Sequence, residues 1–230
     1  MVIAVDGPAG VGKSTISNRV AEKLGFYYLN SGNVYRAITL AVLEAGIDPA
    51  NNQHVIDVAK RSKITFENGR IHLNTRDVEE ELHTDRIDAW VAPHSAIIPI
   101  RHLVNDVLRQ VTRNTDSIVE GRDISTVVFP NAEVKIFLDA EIRVRAERRF
   151  RQGVSGQTME ELTASIEVRD QIDRNKKEGS LIIAPDAVYI DTSVLTIDQV
   201  CERVVGKIRE TQYNNQSGSL NIGNGGTRGQ

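Results

Sequence analysis

Residues 2–25, VIAVDGPAGVGKSTISNRVAEKLG, decide the fold. Val2-Ile3-Ala4-Val5 is an unbroken apolar run, and STISNRVAEKL places its apolar residues at helical spacing. A short apolar, β-branched run bounded by glycine reads as a strand buried on both faces. Between strand and helix, Gly7-Pro8-Ala9-Gly10-Val11-Gly12-Lys13-Ser14-Thr15 matches the spacing of a phosphate-binding loop. Its glycines let successive backbone N–H groups turn inward around phosphate oxygens. The helix that follows adds the partial positive charge of its N-terminus. Lys13 is expected to reach the β- and γ-phosphates of a nucleoside triphosphate, and the Ser14 hydroxyl to ligate Mg²⁺. A glycine-rich structural turn would need neither this strand before it nor this helix after it.

At 230 residues, 40% hydrophobic and 26% charged, the chain suits one soluble α/β domain with a small insert or lid. A net charge of -3 argues against a general nucleic-acid binder. The single cysteine, Cys201, leaves no internal disulfide. The chain enters VIAV without a basic leader or cleavage site, and no apolar run approaches the roughly 18 residues of a membrane span. A cytoplasmic protein is expected, with no membrane partner and as a monomer.

Further apolar runs at 26–29, 117–119, 134–138 and 187–190 alternate with helical patterns at 33–45, 99–114, 141–151, 158–177 and 196–212. That alternation predicts an α/β fold, a parallel sheet with helices on both faces. KITFENGRIHLNTRDV breaks it, because alternating apolar residues flank Asn68-Gly69, a hairpin turn signal. An inserted antiparallel subdomain is therefore expected over about 60–90, and a helical lid over about 150–180. From Asn214 onward the residues are almost all Gly, Asn, Ser, Gln and Thr, which predicts a disordered tail over 214–230 after a domain of 1–213. Asp139 ends the 134–138 run and is expected to cap the next helix rather than order a metal. NKKE at 175–178 only faintly resembles a guanine-reading motif and follows no buried strand.

A second phosphate is suggested by two clusters. NSGNVYR supplies Ser31, Tyr35 and Arg36 beyond the second strand, and EGRD supplies Arg122 and Asp123 beyond the third. Ligands of open parallel sheets bind at the carboxyl ends of the strands, so both arginines should face the crevice of the phosphate loop. RVRAERR adds Arg145, Arg148 and Arg149 at helical spacing.

Together, GPAGVGKST, NSGNVYR, GRDISTVVFPNAEVKIFLDA and RAERR followed by IEVRDQIDRN resemble the bacterial cytidylate kinase family, from residue 1 to about 210. The resemblance implies a P-loop kinase core, a monophosphate-binding subdomain with a small antiparallel sheet, a mobile lid, and transfer of phosphate from ATP to CMP or dCMP. It implies that Ser31, Tyr35 and Arg36 bind the monophosphate and that Arg101 reads the cytosine ring. Arg122 would meet phosphate and Asp123 the base, Arg169 the phosphates and Asp173 the acceptor ribose. The chain departs from the family at Asn30, Glu120, Ser125, Ala92, Ile172 and Lys176, which leaves base selection and the charge of the lid open.

The attacking group in such a transfer is a phosphate oxygen with a second pKa of about 6, already anionic at neutral pH. Catalysis is then positioning and charge stabilisation, expected from Lys13, Arg122 and Arg169 with Mg²⁺, and none of the five histidines is needed. Kinases acting on AMP, UMP or shikimate, and an NTP-driven switch, are the alternatives.

Overall fold

The computed structural model describes residues 1–67, 69–151 and 157–221, with side chains as far as residue 217. In chain order the strands are β1 (Val2–Asp6), β2 (Tyr27–Asn30), β3 (Ile64–Glu67), β4 (Arg70–Leu73), β5 (Arg76–Asp77), β6 (Ser117–Gly121), β7 (Val134–Asp139) and β8 (Val188–Asp191). The helices are α1 (Lys13–Leu24), α2 (Ser31–Glu44), α3 (Asn52–Arg61), α4 (Asp85–His94), α5 (Ile98–Thr112), α6 (Ile142–Arg151), α7 (Met159–Arg174) and α8 (Ile197–Asn221).

β1 lies at the centre of a parallel sheet of order β2-β6-β1-β7-β8. Successive strand residues point to opposite faces, and here both faces are covered. Ile3 and Val5, with Ile118, Ile136 and Leu138, pack against apolar residues of α1 and α8 such as Val20, Val204 and Ile208. Ala4, Leu29 and Val119 pack on the other side against residues of α2 and α5 such as Ile38, Val104 and Leu108. This double burial explains why the strands read as continuous apolar runs rather than alternating ones.

The second sheet is antiparallel, β3-β4-β5. Glu67 pairs with Arg70, and Gly69 just before Arg70 has φ +78°. Asn68 itself lies outside the described residues. α6 and α7 pack through Ala146, Leu162 and Ile166. A reciprocal cap starts α7: Thr158 Oγ1 accepts from Glu161 N–H, and Glu161 Oε2 accepts from Thr158 N–H. Part of the expected lid, residues 152–156, lies outside the described residues.

Several boundaries differ from the sequence pattern. α2 starts at Ser31, earlier than expected, because Asn30 Oδ1 accepts from Gly32 N–H at 2.8 Å and caps it. The polar stretch from Asn214 does not begin with a break, since α8 continues to Asn221; residues 222–230 lie outside the described residues. A helix already docked by Val200, Val204 and Ile208 can propagate into polar residues that bury nothing. Asp139 does not cap α6, which begins three residues later. Its carboxylate accepts instead from Ala140 N–H and the Tyr189 hydroxyl. No helix among the described residues is long and apolar enough to cross a membrane.

Candidate active site

The phosphate loop joins β1 to α1. Gly7 has φ +153°, and a Cβ there would fall 2.1 Å from the Leu138 carbonyl oxygen, so β7 leaves room only for glycine. Lys13 folds back over the loop, its Nζ donating to Gly7 O at 2.9 Å and Pro8 O at 2.8 Å. Burial, reinforced by Arg122, pulls its pKa down to about 7 against the opposing pull of Glu120, Asp173 and Asp6. Behind the loop, Arg145 donates to Ala9 O and Ala140 O, each at 3.0 Å, and pairs with Asp170 on α7 at 2.7 Å.

On one side of the loop opens a cleft of about 300 Å³. Ala9, Gly10, Gly12, Lys13, Ser14 and Thr15 form its floor. Ser31, Tyr35 and Arg36 enter from the start of α2, Arg101 from α5, Arg122 and Asp123 from the turn after β6, and Arg169 from α7. Of the loop residues, Gly7, Pro8 and Val11 lie off this wall. Gly7 and Pro8 turn their carbonyls to Lys13, and Val11 packs into the core.

Arg36, Arg101, Arg122 and Arg169 each meet a carboxylate. Arg36 donates to Leu82 O at 3.0 Å and pairs with Asp88 at 2.6 Å. Arg122 pairs with Asp173 at 2.7 Å, and Asp173 also receives Lys176 at 2.8 Å and Arg169 at 3.4 Å. Asp173 is fully buried, off the cleft wall. Burial alone would raise its pKa, but Arg122, Lys176 and Arg169 hold it below the usual carboxylate range. Arg101 pairs with Asp123 and donates to Ser95 O at 3.1 Å. Burial outweighs the Arg101 charge at Asp123 and raises its pKa to about 6.

The turn carrying Arg122 and Asp123 is held from behind. Asp6, at the end of β1, accepts from Ile124 N–H and Ser125 N–H at 2.8 Å each, and from the Ser125 hydroxyl at 2.5 Å. Burial raises the Asp6 pKa against these bonds. Nearby, buried Glu120 takes the Tyr28 hydroxyl proton in a hydrogen bond.

The departures resolve unevenly. Ile172 is 40% exposed, whereas Lys176 lies inside the cleft, bonded to Asp173 and to Ser95 Oγ at 3.2 Å. Ala92 packs in the core, and Ser95, three residues on, lines the cleft.

A second chamber of about 560 Å³ lies across the loop, and no sequence signal pointed to it. Gly10, Gly12, Thr15, Arg148, Thr192, Ser193 and residues 195–197 line it. Arg148 donates to Thr192 Oγ1 at 2.9 Å and Thr192 O at 2.6 Å. Arg149 lines both chambers and has no hydrogen bond or ion pair among the described residues. The RVRAERR spacing put these arginines on one helix face, but Thr192, the partner of Arg148 just beyond β8, belongs to no pattern of its own.

The family model described as cytidylate kinase matches residues 3–210. Cytidylate kinase 1 of Borreliella afzelii (strain PKo) is 40% identical over 212 residues, covering 90% of this chain and 96% of that protein. Cytidylate kinase of Limosilactobacillus reuteri (strain DSM 20016) is 38% identical over 218 residues, covering 91% of this chain and 96% of that protein.

Proposed function

The chain belongs to the cytidylate kinase family, and from that premise we propose that it transfers the γ-phosphate of ATP to CMP or dCMP, giving ADP and CDP or dCDP. The observation that carries the reading is the pair of chambers meeting at one phosphate loop, the smaller lined by Arg36, Arg101, Arg122 and Arg169.

In this reading the loop amides and Lys13 hold the triphosphate, with the adenosine in the chamber beside Arg148. The acceptor phosphate lies among Ser31, Tyr35, Arg36, Arg122 and Arg169, its ribose near Asp173 and its base at Arg101 and Asp123. To engage, substrate must replace carboxylates that already satisfy these arginines, so binding is an exchange of ion pairs rather than the filling of bare charges. The acceptor oxygen is already anionic, and no general base is required. The obstacle is repulsion between two polyanions, met by Lys13 and by Arg149, which lines both chambers and has no ion pair among the described residues.

Mg²⁺ accompanies ATP in this chemistry and neutralises phosphate charge. Ser14 at the helix start and the buried Glu120 carboxylate offer the hard oxygen donors that suit it, with nucleotide and water completing the shell. The same reading makes the protein a cytoplasmic monomer that acts on free nucleotides, with neither nucleic acid nor membrane as partner.

The test is steady-state ADP release with a panel of nucleoside monophosphates and shikimate. Strong stimulation by CMP and dCMP is expected. Stimulation by another acceptor instead, or by none, overturns the assignment.

A further inference from the structure

We propose that Ser95 is a specificity-determining residue: its hydroxyl latches Lys176 and so seats the segment Lys176–Gly179 against the Arg101–Asp123 pair, making discrimination between bases depend on that closure. The inference rests on the reading that Arg101 and Asp123 face the acceptor base.

Ser95 follows α4 and is 4% exposed. Its main-chain oxygen accepts from Arg101 Nη1 at 3.1 Å. Its hydroxyl donates to Ala92 O at 2.8 Å, which spends the only proton and leaves lone pairs for a cation. Lys176 Nζ meets them at 3.2 Å, steadied on its other side by Asp173 Oδ1 at 2.8 Å. Three residues on, Gly179 has φ +71°, and a Cβ there would fall 1.7 Å from Arg101 Nη2 and 2.4 Å from Asp123 Oδ2. The backbone of this segment therefore lies directly on the pair. Between them, Glu178 reaches His102 on α5 at 3.0 Å, an exposed second tie.

A carboxylate discriminates a base amine from a base carbonyl only where water cannot stand in for the missing donor. With the segment seated, Asp123 is closed off from solvent and a mismatched base leaves it unpaired. With the segment loose, water solvates Asp123 beside either base, and selectivity declines.

Ser95→Ala removes the hydroxyl and keeps the main-chain bond to Arg101. We expect KM for CMP to rise about tenfold with kcat changed about twofold or less, and KM for ATP to hold. The CMP-to-UMP ratio of kcat/KM should fall about tenfold, and Ser95→Thr should restore part of it. Lys176→Met should lower the ratio too, and combining it with Ser95→Ala should add little, as partners in one contact do. An unchanged ratio in Ser95→Ala, equal losses on both bases, or additive losses in the double variant overturn the latch while leaving the CMP kinase reading intact. A wild-type enzyme that ignores CMP overturns both.

Discussion

Ser125 holds Asp6 twice, its amide and its hydroxyl both reaching Asp6 Oδ2, at 2.8 and 2.5 Å. Asp6 ends the strand that leads into the phosphate loop, and Ser125 stands two residues past Asp123, so one buried carboxylate fixes the loop strand to the turn that carries Arg122 and Asp123. Ser125→Ala deletes one charge-assisted hydrogen bond and should cost about 2 kcal/mol. For a domain of this size that is about 4–8 °C in Tm, read by calorimetry. An unchanged Tm would show that the amide bonds alone hold the turn.

Lys13→Ala should lower turnover by orders of magnitude with the far-UV spectrum and Tm little changed. Lys13 bonds only to loop carbonyls here, so its loss releases acceptors rather than breaking the core. Near-normal rates would remove Lys13 from the chemistry.

Lys13 also sets a pH dependence. Its depressed pKa, about 7, means that the free enzyme loses this charge as pH rises through neutrality. The kcat/KM for ATP, which reports the free enzyme, should therefore fall above about pH 7. Bound polyphosphate favours the protonated form, so kcat should decline only at higher pH. Coincident profiles for the two constants would contradict this.

Asp123→Asn keeps the side-chain shape and adds donors. CMP offers an amine where UMP offers a carbonyl, so the variant should weaken CMP and narrow the CMP-to-UMP ratio of kcat/KM. If Asp123 serves only to hold Arg101, its ion-pair partner here, both substrates should suffer equally.

Deleting residues 214–230 should leave activity and Tm essentially unchanged, because the described side chains from Asn214 to Ser217 are exposed and the buried face of α8 ends at Ile208. A fall of several degrees would show that the polar end packs.

The legible parts of this fold were those whose local pattern and tertiary role agree. β1, the loop and α1 needed only a doubly buried strand and a helix start. α3 and α4 were missed because each is only 10 residues long: α3 spaces Val55, Val58 and Ala59 helically but buries only Val55 and Ala59, and α4 carries Pro93 near its end. Asp139 was misread because a strand-end aspartate caps only a helix that starts at once, and α6 does not. In the site, Arg36 and Arg122 could be found by type and position, and Arg101 and Arg169 only through the family resemblance. Asp123 and Asp173 were placed there as well, but that Asp88, Asp123 and Asp173 pair with these arginines was not legible, since pairing across 52, 22 and 51 residues is a property of the folded chain.

Helix α7 carries Asp170, joined through Arg145 to Ala9 in the phosphate loop, and one turn later Asp173, joined to Arg122 at the acceptor. One helix is thus tied both to the phosphate loop and to the turn that carries Arg122. Two ligands that bias one shared element must influence each other, and thermodynamics makes that influence reciprocal. Whatever factor a bound triphosphate adds to the affinity for monophosphate, the monophosphate returns to the triphosphate. In the proposed reading, each nucleotide that biases α7 would be an effector of the other as well as its reaction partner.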